Sequence, residues 1–272
     1  MKKLKLSLSD ALAVISGLFI AFILLCAIAP GFVAPYSPTY MNVADLLQAP
    51  SLTHLFGTDY FGRDVFSVVV YGSRDSLIIG VASVLTGGII GGILGALAGF
   101  IGGVVDTIFN RFIEILMTIP GILLALAIAA ALRPSLFSIV LAISVSSIPQ
   151  YSRVMRGQVI SIKNRPYITV SNSIGTRGAV IFVKHVLLNS WSPFLVMATL
   201  GLGSSILVAS GLSFLGLGII KEIPDWGTLL SQGRGYLVVA HWICTFPGLV
   251  ITAFVLAINI IGDRLRDVID PK

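Results

Sequence analysis

The sequence predicts an all-α polytopic membrane protein with six transmembrane helices, and three observations lead there. Hydrophobic residues make up 56% of the chain and charged residues 11%, at a mean hydropathy of +0.98, whereas soluble domains carry roughly 25% charged residues. Apolar runs suited to a hydrocarbon core, which needs ~20 helical residues to cross, recur along the whole chain. When six spans are drawn through these runs, only Arg63, Arg74, Arg133, Lys221 and Arg234 fall on one side. All other Lys and Arg residues, among them Lys2, Lys3, Lys5, Arg153, Arg156, Arg165, Arg177 and Lys272, fall on the opposite side. Basic connections stay in the cytoplasm, so both termini are expected there. The same placement accounts for the net charge of +6 without a nucleic-acid partner.

The first span is residues 11–29, uncharged and preceded by a basic start. Ala27-Ile28-Ala29 imitates the small-residue site of a cleaved signal peptide. The run, however, exceeds the ~7–15 residues of a signal core, and Pro30 would follow the scissile bond, so an uncleaved span is expected. Residues 31–74 read as an extracytoplasmic loop with Pro35, Pro38 and Pro50. Its Gly57-Thr58-Asp59 and Gly62-Arg63-Asp64 triplets have the chemistry of tight turns, and a structural corner is the expected role.

The second span, 76–103, carries Gly87, Gly91, Gly95, Gly99 and Gly103 at every fourth residue, with Gly88, Gly92 and Ala96 beside them. This spacing puts the glycines on one ridge, where missing side chains admit a second helix at close range. Asp106, Arg111 and Glu114 punctuate a short turn, and Arg111 and Glu114 stand three apart, close enough to pair on one helix face. Residues 115–132 form a third span. A fourth, 136–148, is drawn past Pro149 toward Gln158 as a kinked helix.

Residues 161–189 are the longest polar, basic interruption in the second half and read as a cytoplasmic loop. Within it Tyr167, Ile168, Val170 and Ile174 are spaced for a short helix with an apolar face, and Gly175 ends it. Pro193 suits a first helical turn and opens the fifth span, to about residue 217. A loop over 218–237 and a sixth span over 238–261 complete the chain.

Chemistry-bearing patterns are absent from the sequence. There is no phosphate-binding loop and no dinucleotide fingerprint, so energy has to come from a partner or from a gradient. His54, His185 and His241 lack metal-ligand spacing, Cys26 and Cys244 lie in separate apolar runs as packing residues, and Gly211–Leu215 lacks a nucleophile elbow. Neither an enzyme nor a cofactor-binding protein is expected, and no catalytic, cofactor or metal residues are assigned.

The strings HLFGTD (54–59), FGRDV (61–65), YGSR (71–74), YSRVMR (151–156), SFLGLG (213–218), DWG (225–227) and GDRLRD (262–267) followed by Asp270-Pro271 stand in the order seen in one family. The chain resembles the permease subunits of ABC importers, specifically the C-type subunit of the dipeptide/oligopeptide/nickel branch. That resemblance implies a type I importer permease fold forming half of a translocation path for peptides. It also implies a homologous second permease, two ATP-binding cassette subunits, an extracytoplasmic substrate-binding protein, and residence in the cell membrane of a prokaryote. Nickel or another metal chelate as cargo, and a stand-alone secondary transporter, remain as alternatives. The chain then divides into an N-terminal span and outer loop over 1–72, a permease core over 73–264 and a tail over 265–272.

The same resemblance makes 167–175 the coupling helix that seats in the ATPase. Thr169-Val170-Ser171 stands where the family has Glu-Ala-Ala, Gly175 keeps the family glycine, and Leu187-Leu188 stands where the family has an Ile/Leu-Pro pair. With no Glu at position 169, docking is expected to lean on Tyr167, Ile168 and Ile174.

Overall fold

The computed structural model describes residues 8–269; Lys2, Lys3, Lys5, Asp270, Pro271 and Lys272 lie outside the described residues. Among the described residues nine helices organise the chain: α1 (Leu8–Ile28), α2 (Val65–Ile101), α3 (Gly103–Thr118), α4 (Gly121–Ala131), α5 (Leu136–Lys163), α6 (Pro166–Ser173), α7 (Gly178–Leu217), α8 (Trp226–Gly233) and α9 (Trp242–Ile269). Single 3-10 turns punctuate the connections. Helices are the only extended elements that keep every backbone polar group bonded within the segment, which a hydrocarbon setting demands.

Several helices differ from their expected bounds. Helix α2 begins at Val65, so the loop expected over 31–74 ends at Asp64 and not at residue 74. The side chain of Asp64 caps the helix by accepting from the Ser67 N–H, a strong start signal overshadowed in the sequence by Arg74 and Asp75. Asp106, Arg111 and Glu114 lie within helix α3 and not in a turn, and Arg111 donates to Glu114 at 3.1 Å on its exposed face. The chain breaks at Ile119 and Pro120, so α3 and α4 meet at 84°. Proline removes a helical donor and pushes its predecessor out of the helical region.

The fifth expected span does not open at Pro193. Helix α7 starts at Gly178, inside the region read as loop, and reaches its regular part, Trp191–Leu212, through a wide π segment, Ile181–Leu187, and a 3-10 turn. Those irregular turns precede the proline, which lacks the N–H that a continuous helix would use. The last helix, α9, runs beyond residue 261 to Ile269.

By length and composition four helices, α1, α2, α7 and α9, can cross a membrane, and the bent α3–α4 pair raises this to five. The six expected spans are thus matched only to that extent. Helix α5, with its serines, Arg153, Arg156 and Lys163, is less apolar than the others. It nevertheless lies alongside α2, and the glycine ridge explains how. A β-carbon on Gly91 would stand 2.7 Å from the carbonyl oxygen of Ile148, and one on Gly99 would stand 3.0 Å from that of Arg156. Gly87 meets Ser144 and Ser147, and Gly95 meets Ser152, more closely still. Each step of four along α2 matches a step of four along α5 in the same direction, so the two helices run parallel. Gly103 does not share this face: it follows the α2–α3 break at φ +58° with no atom within 4 Å of its would-be β-carbon, and the ridge ends at Gly99.

The core has three apolar clusters along this axis. One joins α1, α2, α8 and α9 around Val68, Trp226, Ile243 and Phe254. A second joins α4, α5 and α7 through Ala125, Ile139, Ile143 and Leu212. The third sits where α2 and α5 end.

Candidate functional site

The end of the bundle that carries α6 is held by three ties. Arg156 of α5 donates through Nε and Nη2 to the two carboxylate oxygens of Asp106 in α3, at 2.5 and 2.7 Å. Lys163, in the last turn of α5, donates to the carbonyl of Phe100 near the end of α2, at 2.5 Å, a favoured place for a cation. The third tie is Ile168. Fully buried, it sits in a cluster with Ala96 of α2, Met155, Val159 and Ile162 of α5, and Ile181 and Val186 of α7. Burying a side chain of this size is worth about 1.5–3 kcal/mol, which fastens an eight-residue helix that could not persist alone.

This position corrects the expectation for Ile168, whose side chain is held inside the protein and is not presented for docking. The outward face consists of Tyr167, Val170 and Ile174, exposed by 39%, 60% and 75%, with Thr169 exposed and Ser171 half-buried among them. Tyr167 meets the His185 ring edge-on, with centroids 6.3 Å apart. The helix ends with Gly175 at φ +81°. Its N–H donates to the Asn172 carbonyl, and the next N–H, of Thr176, donates back to Ser171. Those two bonds make a Schellman cap, and the left-handed conformation is one that glycine adopts without penalty.

The opposite end is a tightly bonded corner built on residues 42–64. Asp59 and Arg63, both buried, pair at 2.7 Å, and Asp59 also accepts the backbone N–H groups of Phe61 and Arg63. Arg63 reaches on to the Glu222 carbonyl at 3.2 Å. Trp242 donates to the Thr58 carbonyl and Trp226 to that of Val69. Asp225 caps α8 and accepts from Ser213; burial pushes its carboxyl above the ordinary range. Helix α8 had no counterpart in the sequence reading, although Asp225 ahead of Trp226 is a recognisable start signal. Cys26 and Cys244 are free thiols, and among the described residues no His, Cys, Asp or Glu cluster is arranged to hold a metal.

A bundle of long apolar helices, four of them long and apolar enough to cross a membrane and a fifth if the bent pair is one span, defines an all-helical membrane protein. The chain belongs to the family of binding-protein-dependent transport system inner membrane components, whose model matches residues 91–272. The model for the N-terminal transmembrane domain of oligopeptide transport permease C matches residues 8–50. The chain is 41% identical over 263 residues to the dipeptide transport system permease protein of Alkalihalophilus pseudofirmus, covering 97% of this chain and 86% of that one. It is 39% identical to a probable D,D-dipeptide transport system permease protein of Escherichia coli, over 96% of this chain and 88% of the relative. A glutathione transport system permease protein of Escherichia coli is also 39% identical, over 96% and 86%.

Proposed function

We propose that the chain is a permease subunit of an ATP-driven importer for peptides, forming half of the translocation path with a homologous second permease. The family places it among components served by a binding protein, and relatives named for dipeptide and glutathione transport favour peptides as cargo over a metal chelate. Six crossings follow if α1, α2, the bent α3–α4 pair, α5, α7 and α9 each traverse the bilayer. The parallel run of α2 and α5 supports this, because two parallel spans need a return crossing between them. Both termini and α6 then lie in the cytoplasm, in agreement with the distribution of Lys and Arg, and residues 42–64 face outward toward the binding protein.

In this arrangement α6 is the coupling element, with Tyr167, Thr169, Val170, Ser171 and Ile174 on or beside the face offered to an ATPase, Ile168 as its anchor and Gly175 as its terminator. The observation that carries it is the burial of Ile168 beside the exposure of Val170 and Ile174 on one short helix. A displacement of α6 reaches α2, α5 and α7 at once through the cluster around Ile168. Discrete repacking of this kind is how an order at one site becomes a movement at another.

The test is purification of the chain with its native partners and measurement of ATP hydrolysis stimulated by a peptide-loaded binding protein. Ile174→Asp should abolish stimulation while the chain remains in the membrane. Unaltered stimulation in that variant, or purification without any ATPase subunit, would overturn the proposal.

A further inference from the structure

We infer that the α6 face is built for an acidic partner surface: the ATPase groove that receives it, on the coupling role proposed above, carries carboxylates around an apolar floor. No Asp or Glu occurs between Glu114 and Glu222. The whole α6 end of α5, α6 itself and the first turns of α7 therefore hold no anion of their own. Two of the cations there are already engaged, Arg156 by Asp106 and Lys163 by the Phe100 carbonyl. Arg165, immediately before α6, and Arg177, two residues beyond Gly175, are exposed, as is Lys184. None of these three side chains is hydrogen-bonded or ion-paired within the described residues. Eight helical residues extend ~12 Å, so the two arginines bracket a centre made of Tyr167, Val170 and Ile174. The result is an apolar patch with a cation at each end.

Topology alone does not produce this pattern. The bias that holds basic loops in the cytoplasm acts on Lys and Arg, and Asp and Glu contribute little to it, so it leaves room for carboxylates that are nevertheless missing. Nor is α6 shaped for a lipid surface. An interfacial helix sets Lys and Arg on its own polar face and buries its apolar face in the bilayer. Helix α6 has no charged residue within it, and its most buried apolar residue, Ile168, is enclosed by protein. A rim of charge of one sign speeds association with its opposite and rejects its like. Such a rim therefore selects among ATPase subunits as well as attracting one, which matters where several importers share a membrane.

The experiment uses the assembled permease pair in nanodiscs and measures association of its ATPase subunits at ~50 and ~500 mM salt, either side of the range where a Debye length of ~10 Å applies. Arg165→Glu with Arg177→Glu should weaken association at low salt by roughly tenfold or more, Arg165→Gln with Arg177→Gln by less, and the glutamine pair should flatten the salt dependence. Lysine substitutions at the groove carboxylates should restore binding to the glutamate variant. If the glutamate variant binds like the wild type while Ile174→Asp releases the ATPase, the acidic rim is wrong and the coupling role survives. If Ile174→Asp also binds normally, both fall. A loss seen only in nanodiscs containing anionic lipid, and absent in zwitterionic lipid, would assign the arginines to headgroups and overturn the inference.

Discussion

Arg156 closes a two-point ion pair on Asp106, Nε to one carboxylate oxygen and Nη2 to the other, and so joins α3 to α5 across fifty residues of sequence. Matched planar pairs of this kind are stronger than single-point contacts. Asp106→Ala and Arg156→Ala should each destabilise the chain, and the double variant should cost less than the two together, with a coupling energy of about 1–2 kcal/mol. Thermal unfolding in detergent for the four forms of the cycle provides the check; strict additivity would mean that the pair contributes nothing.

The glycine ridge predicts a steep response to side-chain volume. Gly91→Leu or Gly95→Leu would have to displace α5 backbone, at a cost of about 3 kcal/mol or more, and should leave little folded protein in the membrane. Gly157→Ala, on α5 away from the ridge with no atom within 4 Å of its would-be β-carbon, should express far better than either. Quantitative immunoblotting of membrane fractions would expose an error, since equal levels for all three would remove the close α2–α5 contact.

At the end of α6, Gly175→Val places a β-branched residue at a positive φ, a strain of order 1–3 kcal/mol. The open space around Gly175 leaves the bundle undisturbed, so the variant should remain in the membrane yet lose uptake or release its ATPase. Wild-type transport by the double variant Gly175→Val, Ile174→Asp at normal membrane levels would identify 164–177 as a passive connector.

Asp225 yields a prediction in pH. Burial raises its folded-state pKa, so the protonated form is favoured by folding. The associated stability is complete below the ordinary carboxylate value of ~3.9 and is lost as pH rises through the raised folded value. Asp225→Asn keeps a capping oxygen without the charge and should unfold at the same or a higher temperature than the wild type at pH 7. Asp225→Ala forfeits the cap and should lose ~1 kcal/mol. A lower melting temperature for Asp225→Asn than for Asp225→Ala would contradict this.

Much of the architecture was legible in the chain because membrane helices announce themselves by composition, as 11–29 and 238–261 do, and because Gly87, Gly91, Gly95 and Gly99 repeat with helical spacing. Boundaries were harder where a signal was outweighed. Asp64 is a cap, but Arg74 and Asp75 look like the edge of a membrane and not the third turn of a long helix. Pro193 looks like a start, whereas the π turns before it let the helix begin fifteen residues sooner, at Gly178. The inward turn of Ile168 had no local signature, since Tyr167, Ile168, Val170 and Ile174 are all apolar and only the positions of Ala96, Val159 and Ile181 in space decide which of them is enclosed. Asp106 and Arg156 could not be matched for the same reason: their pairing is a property of three helices meeting.

Contact between α2 and α5 at backbone level also fixes what kind of motion this half of the bundle can perform. Bulky side chains between helices can swap rotamers and let one rod creep past the other; a carbonyl oxygen set against a glycine has no such slack. Sliding would have to lift four contacts together and reseat them a full turn, ~5.4 Å, away. On the coupling role proposed above, a small displacement delivered at α6 would be borne by α2 and α5 as a single stiff beam that tilts, with the mobility left to the chain that follows α2, at the Gly102–Gly103 break and at the α3–α4 bend around Pro120.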